Sequence, residues 1–284
     1  MLIKEGAVEK LKRVPPSQVL IYLILTLGAI VVVYPFFFMV NNSVKTGREI
    51  LHSSWSLPRE ITFTGYTGVF QELDVLLLFK NSLILAVSIT LLNALLSALA
   101  GYAFAKIPFP GRGRIFGFML LTMMIPGVLF LIPTYVLIYN LGWVGRYEAL
   151  IIPSAVSVFN IFLVRQFMAG IPNELVEAAR IDGAGEIRIF WRIILPLARP
   201  ALATVAILTF MGSWNDFFGP LLYLNRPDRW TLQLGLLQFR GTVPGENSEQ
   251  IWALTTLITL PIVVVYFFIQ EQFVKAFANV SLSK

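Results

Sequence analysis

Polar side chains that could do chemistry are scarce in this chain, and most of the interesting ones sit inside apolar sequence. The densest group is Ser213, Trp214, Asn215 and Asp216, followed by Phe217, Gly219 and Pro220. An amide and a carboxylate beside an aromatic plane suit a neutral, hydroxyl-rich solute, whose hydroxyls need hydrogen-bond partners and whose C–H face needs an apolar surface. The same residues could instead do structural work, with Trp214 anchored at a membrane interface and Asn215 and Asp216 capping a helix or pairing between subunits. Asn160, with Ser154 and Ser157 nearby, is a second polar group, and Asn93 with Ser97 a third. Asn and Ser inside apolar helices commonly hold helices together, so for these two groups the structural reading stands beside the solute-binding one. Catalysis finds no support. The chain has no cysteine and one histidine, His52, which reads as an ordinary surface residue. That leaves no Ser–His–Asp set and no ligand cluster for zinc or haem.

These residues must be positioned by membrane helices. Of the 284 residues, 57% are hydrophobic and only 13% charged, against about 25% charged in an ordinary soluble domain. Mean hydropathy is +0.75. Residues 14–44, 81–105, 115–145 and 250–270 contain no Asp, Glu, Lys or Arg, and each is long enough for the roughly 20 helical residues that cross a bilayer. Two shorter clean runs, 149–164 and 200–215, reach spanning length by including Arg165 and Asp216. A long Arg side chain near a helix end can snorkel to the interface, whereas Asp216 lies deeper. The expectation is an all-α integral membrane protein with six transmembrane helices near 18–40, 79–105, 115–139, 148–169, 201–224 and 252–273. A β-barrel, built from segments of about ten alternating residues, does not fit.

Charge sets the orientation. With six spans, the side holding both termini carries 14 of the 22 basic and 7 of the 16 acidic residues, a net +7, and the other side a net −1. The positive-inside rule then makes both termini cytoplasmic, in the cell membrane, and it explains the basic composition without nucleic acid. Residues 1–17 are expected to form a cytoplasmic N-terminal segment, 18–273 the transmembrane domain and 274–284 a cytoplasmic tail. The first apolar run is too long for a signal-peptide core and lacks a cleavage site. The external segment 41–78 is either a small ordered cap or a linker, and 225–251 is rich in Gly, Pro and polar residues.

The loop from Gly170 to Pro200 has a different character. Pro172 suits a helix start, and Glu174 and Glu177 fall in the first turns, where the helix dipole favours anions. Leu175, Val176, Ala179 and Ile181 supply an apolar side. Gly183 and Gly185 can take positive φ and end the helix. A second helical piece is expected from about Glu186 until Pro196, whose ring disfavours helix at Leu195. Two short helices held outside the bilayer could dock into a cleft on another protein, or could be an interfacial hairpin joining helices four and five.

The residues themselves carry a resemblance. "EAARIDGAGEIRIFWRIILPLARP" closely resembles the EAA loop of permease subunits of binding-protein-dependent ABC importers: EAA, three residues, G, nine residues, I, one residue, LP. Glu177, Ala178, Ala179, Gly183, Ile193, Leu195 and Pro196 occupy the pattern without departure. "NSLILAVSIT", "GYAFAKIPFPGR", "MMIPGVLFLIPTYVLI", "GSWNDF" and "LQLGLLQF" are similar to the carbohydrate branch, the smaller permease of maltose-type transporters. The likeness runs from about Asn81 to about Phe273. The tail "FVKAFANVSLSK" departs from that branch.

The resemblance implies that the loop is a coupling helix seated in a cytoplasmic ATPase subunit. Glu177 would make polar contacts there, Ala178 and Ala179 would permit close approach, Gly183 would give the bend, and Arg180 and Asp182 would form salt bridges at the rim. It implies two ABC ATPase subunits, an extracytoplasmic solute-binding protein, a second related permease in a heterodimer, and a bilayer around them. The solute path would use Trp214, Asn215, Asp216, Phe217 and Asn160. No G-x-x-x-x-G-K-[ST] phosphate loop occurs in the chain, so no cofactor is expected in it; ATP and Mg²⁺ belong to the partner ATPases. The reading is a non-catalytic transport subunit for a sugar or sugar-like solute. Glycerol phosphate or a polyol is the alternative solute, and an ion-coupled secondary transporter the alternative class. An anionic phosphate would want Arg or Lys in the cavity, where helix five offers Asp216. No internal repeat between the halves supports a secondary carrier.

Overall fold

The computed structural model describes residues 16–240 and 246–281, all of whose regular structure is helical. Residues 1–15 and 282–284, with most of the expected terminal segments' charges, lie outside the described residues. In chain order the helices are α1 (Pro16–Ser43), α2 (Gly47–Ser53), α3 (Thr64–Glu72), α4 (Val75–Lys106), α5 (Arg112–Leu121), α6 (Leu131–Asn140), α7 (Glu148–Ser154), α8 (Val158–Ala169), α9 (Asn173–Ile181), α10 (Glu186–Ile189), α11 (Leu195–Leu197), α12 (Arg199–Trp214), α13 (Phe218–Tyr223), α14 (Leu232–Gly235) and α15 (Ser248–Ser281). Four stretches are long and apolar enough to cross a membrane: Gln18–Ser43, Val75–Lys106, Glu148–Ala169 and Ser248–Phe267. Two bent pairs bring the number to six if each is one span: Arg112–Met124 with Gly127–Asn140, at 93°, and Glu186–Leu197 with Arg199–Trp214, at 76°.

The central element is α4. Asp74 starts it by accepting a hydrogen bond from the Leu77 N–H (3.0 Å), and the residue after its end, Ile107, is extended before Pro108, as residues preceding proline prefer. Leu78, Ser82, Leu85, Ala86, Ile89, Asn93, Ser97 and Gly101 are buried along it, at the three- and four-residue spacing of one helix face. Small residues let the backbones meet. A Cβ on Gly101 would lie 2.8 Å from Val164 Cγ1 and 3.1 Å from the Arg165 backbone nitrogen, so only glycine allows α8 to pack this closely on α4.

The breaks in the other spans have local causes. Ile125 is extended and Pro126 follows it, so residues 112–140 form two pieces meeting at 93° in place of the single helix expected near 115–139. The fifth also departs from expectation: α12 stops at Trp214, three non-helical residues follow, and α13 begins at Phe218. The single helix expected over 201–224 is therefore two, and Asp216 lies in the break between them.

One end of the bundle holds residues 107–111 and 170–198, here termed the lower end; the upper end holds 44–74 and 225–240. The upper segment 41–78 is an ordered cap. Lys45 is fully buried and donates to the carbonyls of Ser53 (3.1 Å), Ser54 (3.1 Å) and Ser56 and to Asn42 Oδ1, binding the C-terminal end of α2, where carbonyls lack helical partners. Burial pushes its ammonium below the usual lysine range. The polar-looking segment 225–240 is less superficial than its composition suggests. Leu232, Leu234 and Phe239 are buried in the upper core, and Asn81 of α4 donates to the carbonyls of Asp228 (3.0 Å) and Trp230 (2.9 Å).

Candidate functional site

The cavity that best fits a solute lies where α4, the α7–α8 junction and α12 meet, with a volume of about 520 Å³. That falls within the roughly 300–1,000 Å³ of small-molecule sites. Its geometry begins with the gap between α7 and α8. There the helix is interrupted at residues 155–157, which leaves the Ser154 carbonyl without a helical donor. Asn93 Nδ2 donates to it instead (2.9 Å). Ser157 caps the new helix by accepting from the Asn160 N–H (3.3 Å), and this places the Asn160 side chain in the first turn of α8. Asn160 Nδ2 then donates both to Asn93 Oδ1 (2.7 Å) and to Thr209 Oγ1 of α12 (3.0 Å). Ser97 adds a hydrogen bond to Asn93 Oδ1 (3.3 Å). Three helices are thus joined by one amide network that also forms the cavity wall.

The donors of Asn160 and both lone-pair directions of Asn93 Oδ1 are committed to this network. The hydroxyls of Ser157, Thr209 and Ser213 and the carboxylate of Asp216 complete the polar lining, with Leu208 and Phe159 among the apolar lining residues. Asp216 is the one ionisable residue among the lining residues. Its Oδ1 accepts from the Gly219 N–H (3.0 Å) and so caps α13. A Cβ on Gly219 would lie 2.5 Å from Asp216 Oδ2. Glycine is therefore what admits the carboxylate so close to the backbone.

Of the solute-path residues expected from sequence, the structure brings Asn160 and Asp216 to this cavity and places the other three outside its lining. Trp214 is 2% exposed; its Nε1 donates to the Ile258 carbonyl (3.1 Å), and its ring stacks on Phe210 and meets Phe79 edge-on. Trp214 was expected beside Asp216, but its indole packs instead against Phe79, Phe210 and the Ile258 carbonyl, outside the cavity lining. Asn215 is exposed and bonds back to the Met211 carbonyl (2.9 Å). Phe217 is half-buried in the upper core with Leu85, Ala149 and Tyr223. Thr209 is the functional candidate that sequence reading missed, because a lone threonine in an apolar run has no signal of its own.

The lower loop forms the second part of the site. Helix α9 ends at Ile181, and Gly183 has φ 79°, the left-handed conformation in which glycine carries no penalty. Gly185, expected to do the same, has φ −73° and is instead the N-cap of α10. The expected helix end at Leu195 is also absent. A π-helical turn over Phe190–Ile194 leads directly into α11, with Pro196 in its first turn; a wide turn offers room for a proline ring that would clash with a regular one.

On α9 the apolar residues divide. Val176 and Ala179 are buried under the bundle, while Ile181 is 86% exposed and Leu175 is exposed beside Glu177, Ala178 and Asp182. Ala179 thus packs against the chain's own core, and the outward surface is Glu177, Ala178, Ile181 and Asp182. Arg180 finds its partner inside the loop: its Nε donates to Glu186 Oε1 (2.8 Å). The other carboxylate oxygen, Oε2, accepts from the Tyr102 hydroxyl (2.6 Å). The Arg180 guanidinium, with the Tyr102 hydroxyl, holds the Glu186 carboxyl below its usual range.

Residues 94–279, about two thirds of the chain, match the family described as binding-protein-dependent transport system inner membrane component. The chain belongs to this family. The matched stretch includes the lower loop, Asn160, Thr209 and Asp216, and begins one residue after Asn93. The chain is 35% identical over 259 residues to the arabinooligosaccharides transport system permease protein AraQ of Halalkalibacterium halodurans, covering 88% of this chain and 92% of that protein. It is 32% identical over 266 residues to the maltodextrin transport system permease protein MdxG of Bacillus subtilis, covering 91% and 93%. Protein LplC of Bacillus subtilis is 34% identical over 269 residues, covering 89% and 90%. Among solved structures, a bacterial ABC transporter involved in the import of the acidic polysaccharide alginate shares the fold, with a TM-score of 0.80 at 24% identity, over 89% of this chain and 95% of that one. The family's members are transport permease subunits, and this chain is a multi-pass membrane protein of that kind, of the carbohydrate ABC importer type.

Proposed function

We propose that this chain is the six-span permease subunit of an ATP-driven importer for a neutral sugar or oligosaccharide. The observation that carries the solute class is the cavity wall: amides and hydroxyls from three helices, with Asp216 as the one ionisable lining residue. Hydroxyls of a neutral sugar can donate to a carboxylate and exchange hydrogen bonds with Ser and Thr, whereas an anion such as glycerol phosphate would meet like charge there. The relatives named for arabinooligosaccharides and maltodextrin support the same class.

In this reading the lower end is cytoplasmic, with both termini. The outward surface of α9, with Glu177, Ala178, Ile181 and Asp182, seats in a cytoplasmic ATPase that supplies ATP and Mg²⁺. Ile181, 86% exposed, gives that surface an apolar contact to offer the ATPase. A second permease, different from this one, completes the translocation path, and a solute-binding protein delivers to the upper end. The experiment is purification of the tagged chain in mild detergent, followed by mass identification of what accompanies it. A P-loop ATPase and a second permease are expected. Recovery of the chain alone under conditions that preserve other importers would contradict the proposal.

A further inference from the structure

Among the described membrane-length helices, α4 alone runs without a proline or a break. Helix α1 contains Pro35 and α15 contains Pro261, Arg112–Met124 and Gly127–Asn140 meet at 93°, the helix of 148–169 is interrupted between α7 and α8, and α12 stops at Trp214 before α13. At 1.5 Å per residue the 32 residues of α4 form a continuous rod about 48 Å long.

The rod is gripped at four levels. At its lower end Lys106, 7% exposed, donates to the Ile171 carbonyl and to Asn173 Oδ1 (2.7 Å), both at the start of the 170–198 loop. No carboxylate forms an ion pair with Lys106 among the described residues. A buried ammonium held only by neutral acceptors is costly to strip of them, so this contact resists separation. One turn higher, the Tyr102 hydroxyl donates to Glu186, and Glu186 holds Arg180, tying both helices of the loop to α4. Val176, Ala179, Ile189 and Phe190 pack beneath Tyr102 in the same buried cluster. Nine residues further up, about 14 Å along the axis, Asn93 holds the cavity wall. Near the top, Asn81 and Ser82 hold the 228–232 segment. The loop's covalent exits are, by contrast, the short turn at Gly170–Pro172 and the 76° bend beside Ala198.

We propose that α4 is the lever of this subunit: Lys106 and Tyr102 fasten the lower loop to it, so that loop and helix move as one body and displace Asn93 in the cavity wall. This rests on the reading of the loop as the site of ATPase contact. Tyr102 and Lys106 are positioning residues, and neither lines the cavity. A sliding loop would have to break the charge-assisted bonds and open the cluster beneath them. A loop fixed to α4 need only tilt the rod.

The absence of cysteine from the chain makes a direct test practical. In the complete complex, with other subunits lacking accessible cysteine, Lys106→Cys and Asn173→Cys are combined, and proteoliposomes are assayed for solute imported per ATP hydrolysed. Unbridged, the double variant is expected to lose coupling, by about threefold or more. Bridging the two thiols with a short bifunctional thiol reagent is expected to restore it. A loss of import on bridging means that the loop must slide along α4, and overturns the proposal. Wild-type coupling in the unbridged variant overturns it too. The milder Tyr102→Phe variant, which removes one hydroxyl and keeps the ring on Phe190 (5.4 Å), is expected to lower the same ratio with the ATPase still bound in full. An unchanged ratio in Tyr102→Phe would count against the upper fastening. Failure of the coupling reading itself is visible separately, as wild-type complex that imports without ATP.

Discussion

Asn160 Nδ2 and Asn93 Oδ1 lie 2.7 Å apart, and this one bond closes a network across three helices at the wall of the cavity. Both residues are buried, at 6% and 1% exposure. Each would leave an unpaired amide or carbonyl in an apolar surrounding if the other were removed. The double cycle Asn93→Ala, Asn160→Ala should therefore be non-additive. The coupling energy between the two changes is expected to be about 0.6 kcal/mol and at most about 1.7 kcal/mol, as for hydrogen bonds between membrane helices. The second change should cost less in the background of the first. Thermal denaturation in detergent measures this, and strict additivity would mean that the two side chains act separately.

Asp216 has two tasks that substitution can separate. Asparagine keeps an oxygen for the Gly219 N–H and removes the charge; alanine removes both. Asp216→Ala is expected to lose about 1 kcal/mol of stability through the missing cap and to weaken solute binding or change its selectivity. Asp216→Asn should retain the stability and show the binding effect alone. Uptake kinetics at wild-type values in both variants would take Asp216 out of the solute path.

Gly183 holds φ 79°, a value the proline ring cannot adopt, since it fixes φ near −65°. Gly183→Pro should distort the turn between α9 and α10 and uncouple ATP hydrolysis from uptake, with the membrane topology intact. Gly183→Ala should cost about 1–2 kcal/mol for a left-handed non-glycine residue and leave partial coupling. Normal transport by the proline variant would remove the loop from the coupling path.

The Arg180–Glu186–Tyr102 contact carries a pH dependence of known sign. The folded-state pKa of Glu186 is lowered, first by Arg180, so the contact stabilises the fold above the usual glutamate value of about 4.3. That stability is lost as pH falls through the lowered value. The difference in thermal stability between wild type and Glu186→Gln should be constant from neutral pH down to the ordinary carboxylate range, and should close below it. A difference that grows on acidification would contradict the assignment.

Much of the architecture could be read from residue type alone. Charge-free runs mark candidate spans because an unpaired charge is costly in hydrocarbon, and Gly183 marks the end of α9 because glycine readily takes the positive φ found there. Other features depend on partners far away in sequence. Lys106 reads as one more positive charge in a short loop, yet its acceptors lie 65 and 67 residues on. Lys45 looks like a surface lysine and is fully buried, because the C-terminal carbonyls of α2 fold back over it. Trp214 looks like a binding residue beside Asp216, and only its packing against Phe79 and the Ile258 carbonyl, far away in sequence, shows that it does not line the cavity. Pro196 reads as a helix breaker until the π-helical turn before it makes room.

The most direct measurement is solute uptake by the purified wild-type complex in proteoliposomes, with ATP supplied on the side of the ATPase and no ion gradient. Import of a neutral oligosaccharide that requires ATP and stops when the ATPase is inactivated is the expected result. Import driven by an ion gradient in the absence of ATP would contradict the assignment of this chain as an ABC permease subunit.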